Sequence, residues 1–137
     1  MIDKMDLQII EFLKQDAKMK LQDIGDKVHL TGQAVSNRIS KLEKSGIIKG
    51  YTALIDESYL NPKMVAYITV IMGTANHEGF KRFLERRKEI IEAHRISGDG
   101  CYMIKVEVGS KEELTQLLDG ILAYGNYRVN ISIAAVK

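Results

Sequence analysis

The chain has 137 residues, 45% of them hydrophobic and 28% charged, with a formal net charge of +2 and one cysteine. That length admits one domain or two small ones with marginal cores, and the composition is that of a soluble globular protein. The single Cys101 excludes an intramolecular disulfide and any cysteine-cluster zinc site, and it fits a reducing cytoplasm.

Residues 3–15 are expected to form the first helix, with Met5, Ile9, Phe12 and Leu13 on one face and the acids Asp3 and Asp6 at its positive N-terminal end. Acids also stand where a signal peptide would be basic, and no apolar run reaches membrane-spanning length. A second helix follows, in which Leu21, Ile24 and Val28 make one apolar stripe; a third repeats the device with Val35, Ile39 and Leu42. Between them His29-Leu30-Thr31-Gly32 is a tight polar turn, and the Thr31 hydroxyl is placed to cap the third helix.

The third helix leaves Gln33, Ser36, Asn37, Ser40, Lys41 and Lys44 facing outward, with Arg38 at its flank. Amide, hydroxyl and cationic groups of this kind bond base edges and phosphates in a major groove. Charge is segregated in the same sense: residues 31–50 carry a net +3, residues 1–30 a net −1 and residues 51–137 none. A positive patch on one helix is an electrostatic footprint for phosphate. Together these residues read as a helix-turn-helix whose candidate DNA contacts are Thr31, Gln33, Ser36, Asn37, Arg38, Ser40, Lys41 and Lys44.

Gly46 is positioned to end the third helix. Ile47 to Ile55 is rich in β-branched and aromatic residues and reads as a strand, either a wing or a connector. The only proline, Pro62, marks the loop after it. The expected organisation is therefore a DNA-binding domain over 1–50, a connecting strand and linker over 51–63, and a second domain over 64–137.

In the second half, Met64 to Met72 reads as a strand buried on both faces, residues 76–88 as a helix, and Ile90 to Ser97 as a strand. Gly98-Asp99-Gly100 turns into a strand from Cys101 to Val108 in which Tyr102, Ile104, Val106 and Val108 alternate with polar neighbours. Ser110 and Glu113 make a capping box before a helix with Leu114, Leu117, Leu118 and Ile121 in one stripe, and Tyr127 to Val136 is the last strand. The order β-α-β-β-α-β is the ferredoxin-like split pattern, so the class is α+β. Two helices cover one face of such a sheet, and a second copy of the chain is the expected cover for the other.

A helix-turn-helix followed by βαββαβ at this length resembles the leucine-responsive/asparagine-regulator (Lrp/AsnC) family of transcription regulators. The residues that carry the resemblance are Asp3-x-x-Asp6-x-x-Ile9-Ile10, then Leu30-Thr31-x-x-Ala34-Val35-x-x-Arg38-Ile39-x-x-Leu42-Glu43-x-x-Gly46-Ile47-Ile48-x-Gly50-Tyr51, and Ile96-Ser97-Gly98-Asp99. It implies a sequence-preferring binder of double-stranded DNA that dimerises through its sheets and often assembles to octamers. It also implies an amino-acid effector held by the loop Gly98, Asp99, Gly100, Cys101 and Tyr102. Cys101 is a departure, because many relatives carry an acid there and a thiol is a weak, uncharged partner for an ammonium. Read without the family, Gly98 to Gly100 is equally a hairpin turn needing positive φ.

Dimerisation also follows from charge. One helix of net +3 neutralises few phosphates, whereas a two-fold dimer presents two helices to major grooves about 34 Å apart on a pseudo-palindromic site. His29 beside the turn reads as solvated; His77 and His94 lack carboxylate or cysteine partners at metal-ligand spacing, so no metal is expected. Lys81-Arg82 with Arg86-Arg87-Lys88 is a second basic patch. There is no phosphate-cradling loop and no nucleophile, base and orienter set, hence no catalytic residues and no required cofactor. Two other functions compete with the regulator: an architectural DNA-bending protein of weak sequence preference, and an enzyme resembling siroheme decarboxylases that would use His94 and Arg95 on a tetrapyrrole.

Overall fold

The computed structural model describes residues 1–137. Contacts divide the chain into two units, Met1–Leu54 and Ile55–Lys137.

The first unit is three helices: α1 (Lys4–Gln15), α2 (Leu21–Val28) and α3 (Gly32–Lys44). Asp3 opens α1 with a capping box: its side chain accepts from the Asp6 amide and the Asp6 carboxylate accepts from the Asp3 amide, so two free amides at the helix start are satisfied. The stripes read from the sequence meet in a core of Ile9, Ile24, Val28, Val35 and Ile39. Leu21, at the end of its stripe, stays outside the core and 40% exposed. Thr31 caps α3 by accepting from the Ala34 amide at 3.1 Å. The helix closes in a Schellman motif: Gly46 takes φ +73°, its amide bonds the Glu43 carbonyl at 2.9 Å, and the Ile47 amide bonds Leu42 at 3.0 Å.

The turn between α2 and α3 rests on His29, the only non-glycine residue with positive φ (+57°). That conformation costs an L-residue about 1–2 kcal/mol, against about 0.5–1 kcal/mol of extra chain entropy lost by glycine. His29→Gly is therefore expected to stabilise the unit by roughly 0.5–1 kcal/mol, seen as a higher denaturant midpoint at unchanged slope. A lower midpoint would mean that the imidazole holds the turn.

The expected strand over Ile47 to Ile55 does not form; the segment is irregular after the Schellman turn. β-propensity alone cannot close a ladder, and the segment pairs with none of the strands of the sheet. Leu54 is left almost fully exposed.

The second unit opens with a short 3-10 turn, Glu57–Tyr59, and continues as β1 (Met64–Met72), α4 (His77–Glu85), β2 (Ile90–Arg95), β3 (Tyr102–Val108), α5 (Lys111–Ile121) and β4 (Gly125–Ile131). The sheet order is β2-β3-β1-β4 with every pair antiparallel, which is the ferredoxin-like arrangement. Phe80 and Leu84 of α4 and Leu114, Leu117 and Ile121 of α5 cover one sheet face, on Ala66, Ile68, Val70, Tyr102, Ile104, Val106 and Val108.

Three expectations are corrected here. β1 is not buried on both faces: Ala66, Ile68 and Val70 point under the helices, while Tyr67 and Ile71 are exposed on the uncovered side. β4 ends at Ile131 rather than Val136, its last link being the Ser132 amide to the Val65 carbonyl at 2.8 Å. Ser110 caps α5 by accepting from the Glu113 amide, but the Glu113 carboxylate returns to the Gly109 amide, one residue earlier than a capping box requires. No helix is long and apolar enough to cross a membrane.

Candidate nucleic-acid interface and ligand loop

Val35, Ile39 and Leu42 fix which side of α3 is buried, so the opposite side must carry any DNA contact. Thr31, Gln33, Asn37, Lys41 and Lys44 are exposed there, and Ser36 and Ser40 are half-buried at its margin. Gln33 and Asn37, one turn apart, bond each other through Nε2 and Oδ1 at 3.1 Å. Each amide keeps donors and acceptors for a base edge, and the pairing holds both side chains in one plane of approach. The spacing of four is visible in the sequence; the bond between the two amides is not.

Arg38 engages the first turn of α1. Its Nη1 donates to Asp3 Oδ2 at 2.6 Å and to Asp6 Oδ1 at 2.8 Å, bringing the half-buried side chain onto that turn. The Asp6 amide and the Arg38 guanidinium hold the Asp3 carboxyl below its ordinary value of 3.8, and the two carboxylates raise Arg38. A depressed carboxylate contributes stability that is complete above the unfolded value and is lost as pH falls through the folded one. The acid limb of unfolding of residues 1–54 is therefore expected to begin below about pH 4 and to flatten in Asp3→Asn, as followed by hydrogen exchange across a pH series. An acid limb unchanged by the substitution would show that Asp3 is not the group responsible.

The loop between β2 and β3 holds Gly98 at φ +94° and Gly100 at φ +124°. The Gly100 amide bonds the Gly98 carbonyl at 3.0 Å, the Ile96 amide bonds Cys101 at 3.0 Å, and the Cys101 amide reaches across to Val70 of β1 at 2.7 Å. Gly98 and Asp99 are exposed, and Gly100 and Cys101 are half-buried. Tyr102, which follows the loop, is a core residue, 3% exposed and edge-on to Phe80 at 4.9 Å. Strand alternation places it with Ile104, Val106 and Val108 under the helices.

Around the Tyr102 hydroxyl lies a constellation that sequence reasoning missed. His77 Nδ1 is 2.9 Å from that hydroxyl, and Arg95 donates to both His77 Nδ1 and the Tyr102 oxygen while stacking on the Tyr102 ring. His94, the neighbour of Arg95, pairs with Met103 on the other sheet face and lies 3.9 Å from Glu92. The two side chains that a tetrapyrrole enzyme would use together thus project from opposite faces of one strand. The second basic patch, on α4 and the turn after it, is partly neutralised: Lys81 bonds Glu78 at 3.0 Å, and Arg87 lies over the Phe83 ring, 3.6 Å from Glu89. Arg82, Arg86 and Lys88 are exposed.

A three-helix unit with a capped, polar-faced third helix, followed by a ferredoxin-like unit with a glycine loop, defines a helix-turn-helix regulator class. The winged helix-turn-helix DNA-binding family matches residues 2–49, and the Lrp/AsnC ligand binding domain matches residues 65–137. The chain is 45% identical over 136 residues to the HTH-type transcriptional regulator LrpB of Bacillus subtilis (strain 168), covering 99% of this chain and 91% of that protein. It is 28% identical over 120 residues to the leucine-responsive regulatory protein of Escherichia coli (strain K12), covering 85% and 73%. Among solved structures, Bacillus subtilis LrpC superposes with a TM-score of 0.86 at 28% identity, over 100% of this chain and 98% of that one. A transcriptional regulator from Neisseria meningitidis, solved as an L-Met complex, shares the fold with a TM-score of 0.88 at 20% identity, over 100% and 93%. The chain belongs to the Lrp/AsnC family of transcription regulators.

Proposed function

We propose that this regulator reads a pseudo-palindromic site in double-stranded DNA as a dimer, with one α3 in each of two successive major grooves, and that an amino acid or related small effector bound at the Gly98–Cys101 loop tunes it. The observation that carries the reading is the exposed face of α3, where Gln33, Asn37, Lys41 and Lys44 stand free of the core on a helix fixed at both ends by caps. Thr31, Ser36 and Ser40 complete that face as phosphate and sugar contacts. Catalysis has no part in this reading; the residues suited to an enzyme, His94 and Arg95, do not converge.

Dimerisation is supported by the uncovered sheet face, where Tyr67, Ile71 and Met103 are exposed in the middle strands beside Lys105 and Arg128. Octamers are the further assembly the family suggests, and a cytoplasmic location goes with a DNA-bound role.

The test is fluorescence anisotropy on the protein's own upstream DNA and on a scrambled duplex, over a salt series, with and without pooled amino acids, with the oligomeric state taken from light scattering. Upstream DNA is expected to bind tenfold or more tighter, on the order of what base readout provides, and amino acids to shift it. Lys41→Ala is expected to reduce the magnitude of the salt slope by about 0.9 for each phosphate that Lys41 neutralises. Equal binding to both duplexes with effector indifference would point to the architectural role instead. Binding to neither would remove both DNA readings.

A further inference from the structure

We infer that Arg38 is a positioning residue of α3: it acts through Asp3 and Asp6, so that the first turn of α1 sets how the reading face meets DNA. The inference rests on the DNA-binding reading above. Its starting point is that the core beneath α3 is small and apolar, with Val35 and Ile39 packed on Ile9, Ile24 and Val28. Apolar contact is non-directional: it sets which side of α3 is buried but adds no bond of fixed length and angle. Base recognition, by contrast, needs side chains held within about 0.5 Å and 10–20° of their working geometry.

The bonds of Arg38 supply the missing direction. Two charge-assisted bonds, 2.6 and 2.8 Å long, run from one nitrogen to two carboxylates that are themselves fixed by the reciprocal capping box. Asp6 is only 9% exposed, so the pair is partly shielded from salt. Arg38 sits between Asn37 and Lys41 in α3, and these three residues line one cleft with Asp3 and Asp6. The anchor is thus within a turn of the residues that would touch DNA.

Charge decides against the simpler reading, in which Arg38 also grips a phosphate. Asp3, Asp6 and Arg38 together carry a net −1, so a phosphate approaching the guanidinium meets an acidic cluster. Lys41 and Lys44, one and two turns on, have no acidic partner within bonding distance.

The experiment uses the full chain, a duplex that the wild type selects from a random-sequence pool, and a scrambled duplex of the same composition. Arg38→Met is expected to weaken binding to the selected duplex by about tenfold, the scale of a single mismatched base pair, while the scrambled duplex and both salt slopes are unchanged. Asp3→Asn is expected to weaken selected binding in the same direction, although it removes a negative charge beside the DNA face. The triple variant with Asp6→Asn is expected to be no worse than Arg38→Met, because the three groups act as one unit.

Equal weakening on both duplexes with the magnitude of the salt slope reduced by about 0.9 would make Arg38 a phosphate ligand and overturn the inference. Tighter binding by Asp3→Asn on both duplexes would do the same, marking the acid as a bystander. Hydrogen exchange over residues 1–54 checks the fold of each variant, and if Arg38→Met unfolds, the sign of the Asp3→Asn effect decides. A wild type that selects no duplex would instead remove the DNA-binding reading itself.

Discussion

Gly25→Ala is expected to destabilise the helix-turn-helix unit by about 2–3 kcal/mol, the cost of forcing a methyl into a filled space, and to abolish DNA binding. Helix propensity predicts the opposite sign, because glycine inside a helix costs about 0.5–1 kcal/mol relative to alanine. The deciding fact is what a Cβ at Gly25 would meet. It would run into the backbone carbonyl oxygen of Leu30, with the Thr31 carbonyl carbon also close at 3.3 Å. The Leu30 amide is bonded to the Gly25 carbonyl at 2.9 Å, so the two backbones are locked together at the place where the chain reverses into α3. A side chain there would have flexible ends to move aside; a backbone does not, and the turn itself must shift.

Such a shift moves the Thr31 cap and with it the whole exposed face of α3. Denaturant unfolding followed by exchange of residues 1–54 measures the stability, and anisotropy measures the binding. Gly46→Ala is the comparison, since Gly46 has positive φ but nothing within 4 Å of a Cβ; it is expected to cost about 1–2 kcal/mol of strain alone. A more stable Gly25→Ala would show that propensity outweighs the close approach.

The sequence carried the parts of the fold that depend on neighbours in the chain. The 3.6-residue stripes, the Thr31 cap and the Gly46 stop are local, and each is present in the structure. The period of two in β3 already grouped Tyr102 with Ile104, Val106 and Val108, so its burial was legible even though the family resemblance drew it to the effector loop. What was not legible depends on distant partners. The bonds of Arg38 span 32 and 35 residues, and no spacing rule connects an outward-looking arginine to an N-terminal cap. Ile47 to Ile55 has strand composition, but a ladder is a property of two segments, and composition does not say which strand, if any, a segment pairs with. β1 looked buried on both sides because its exposed residues, Tyr67 and Ile71, are apolar; composition does not distinguish a face under a helix from a face awaiting another surface.

The loop offers the second large effect. Gly100→Ala is expected to cost on the order of 2–4 kcal/mol, combining about 1–3 kcal/mol of backbone strain with overpacking of similar size. At φ +124° the residue lies where side chains are rarely tolerated, and a Cβ would come 2.6 Å from the Thr69 methyl and 3.4 Å from the Val70 carbonyl oxygen. Thr69 is in a central strand and Val70 is fully buried, so neither yields easily. The strain would be relieved by breaking the bond from the Cys101 amide to Val70, which ties the loop to β1. Gly98→Ala separates strain from overpacking: its φ is also positive, at +94°, but nothing lies within 4 Å, so only strain applies. Exchange of residues 55–137 in the two variants is expected to rank Gly100→Ala well below Gly98→Ala. If the two prove equal, the loop is not packed on β1. If Gly100→Ala alone also loses an amino-acid response that Gly98→Ala retains, the seating of the loop on β1 is what the effector requires.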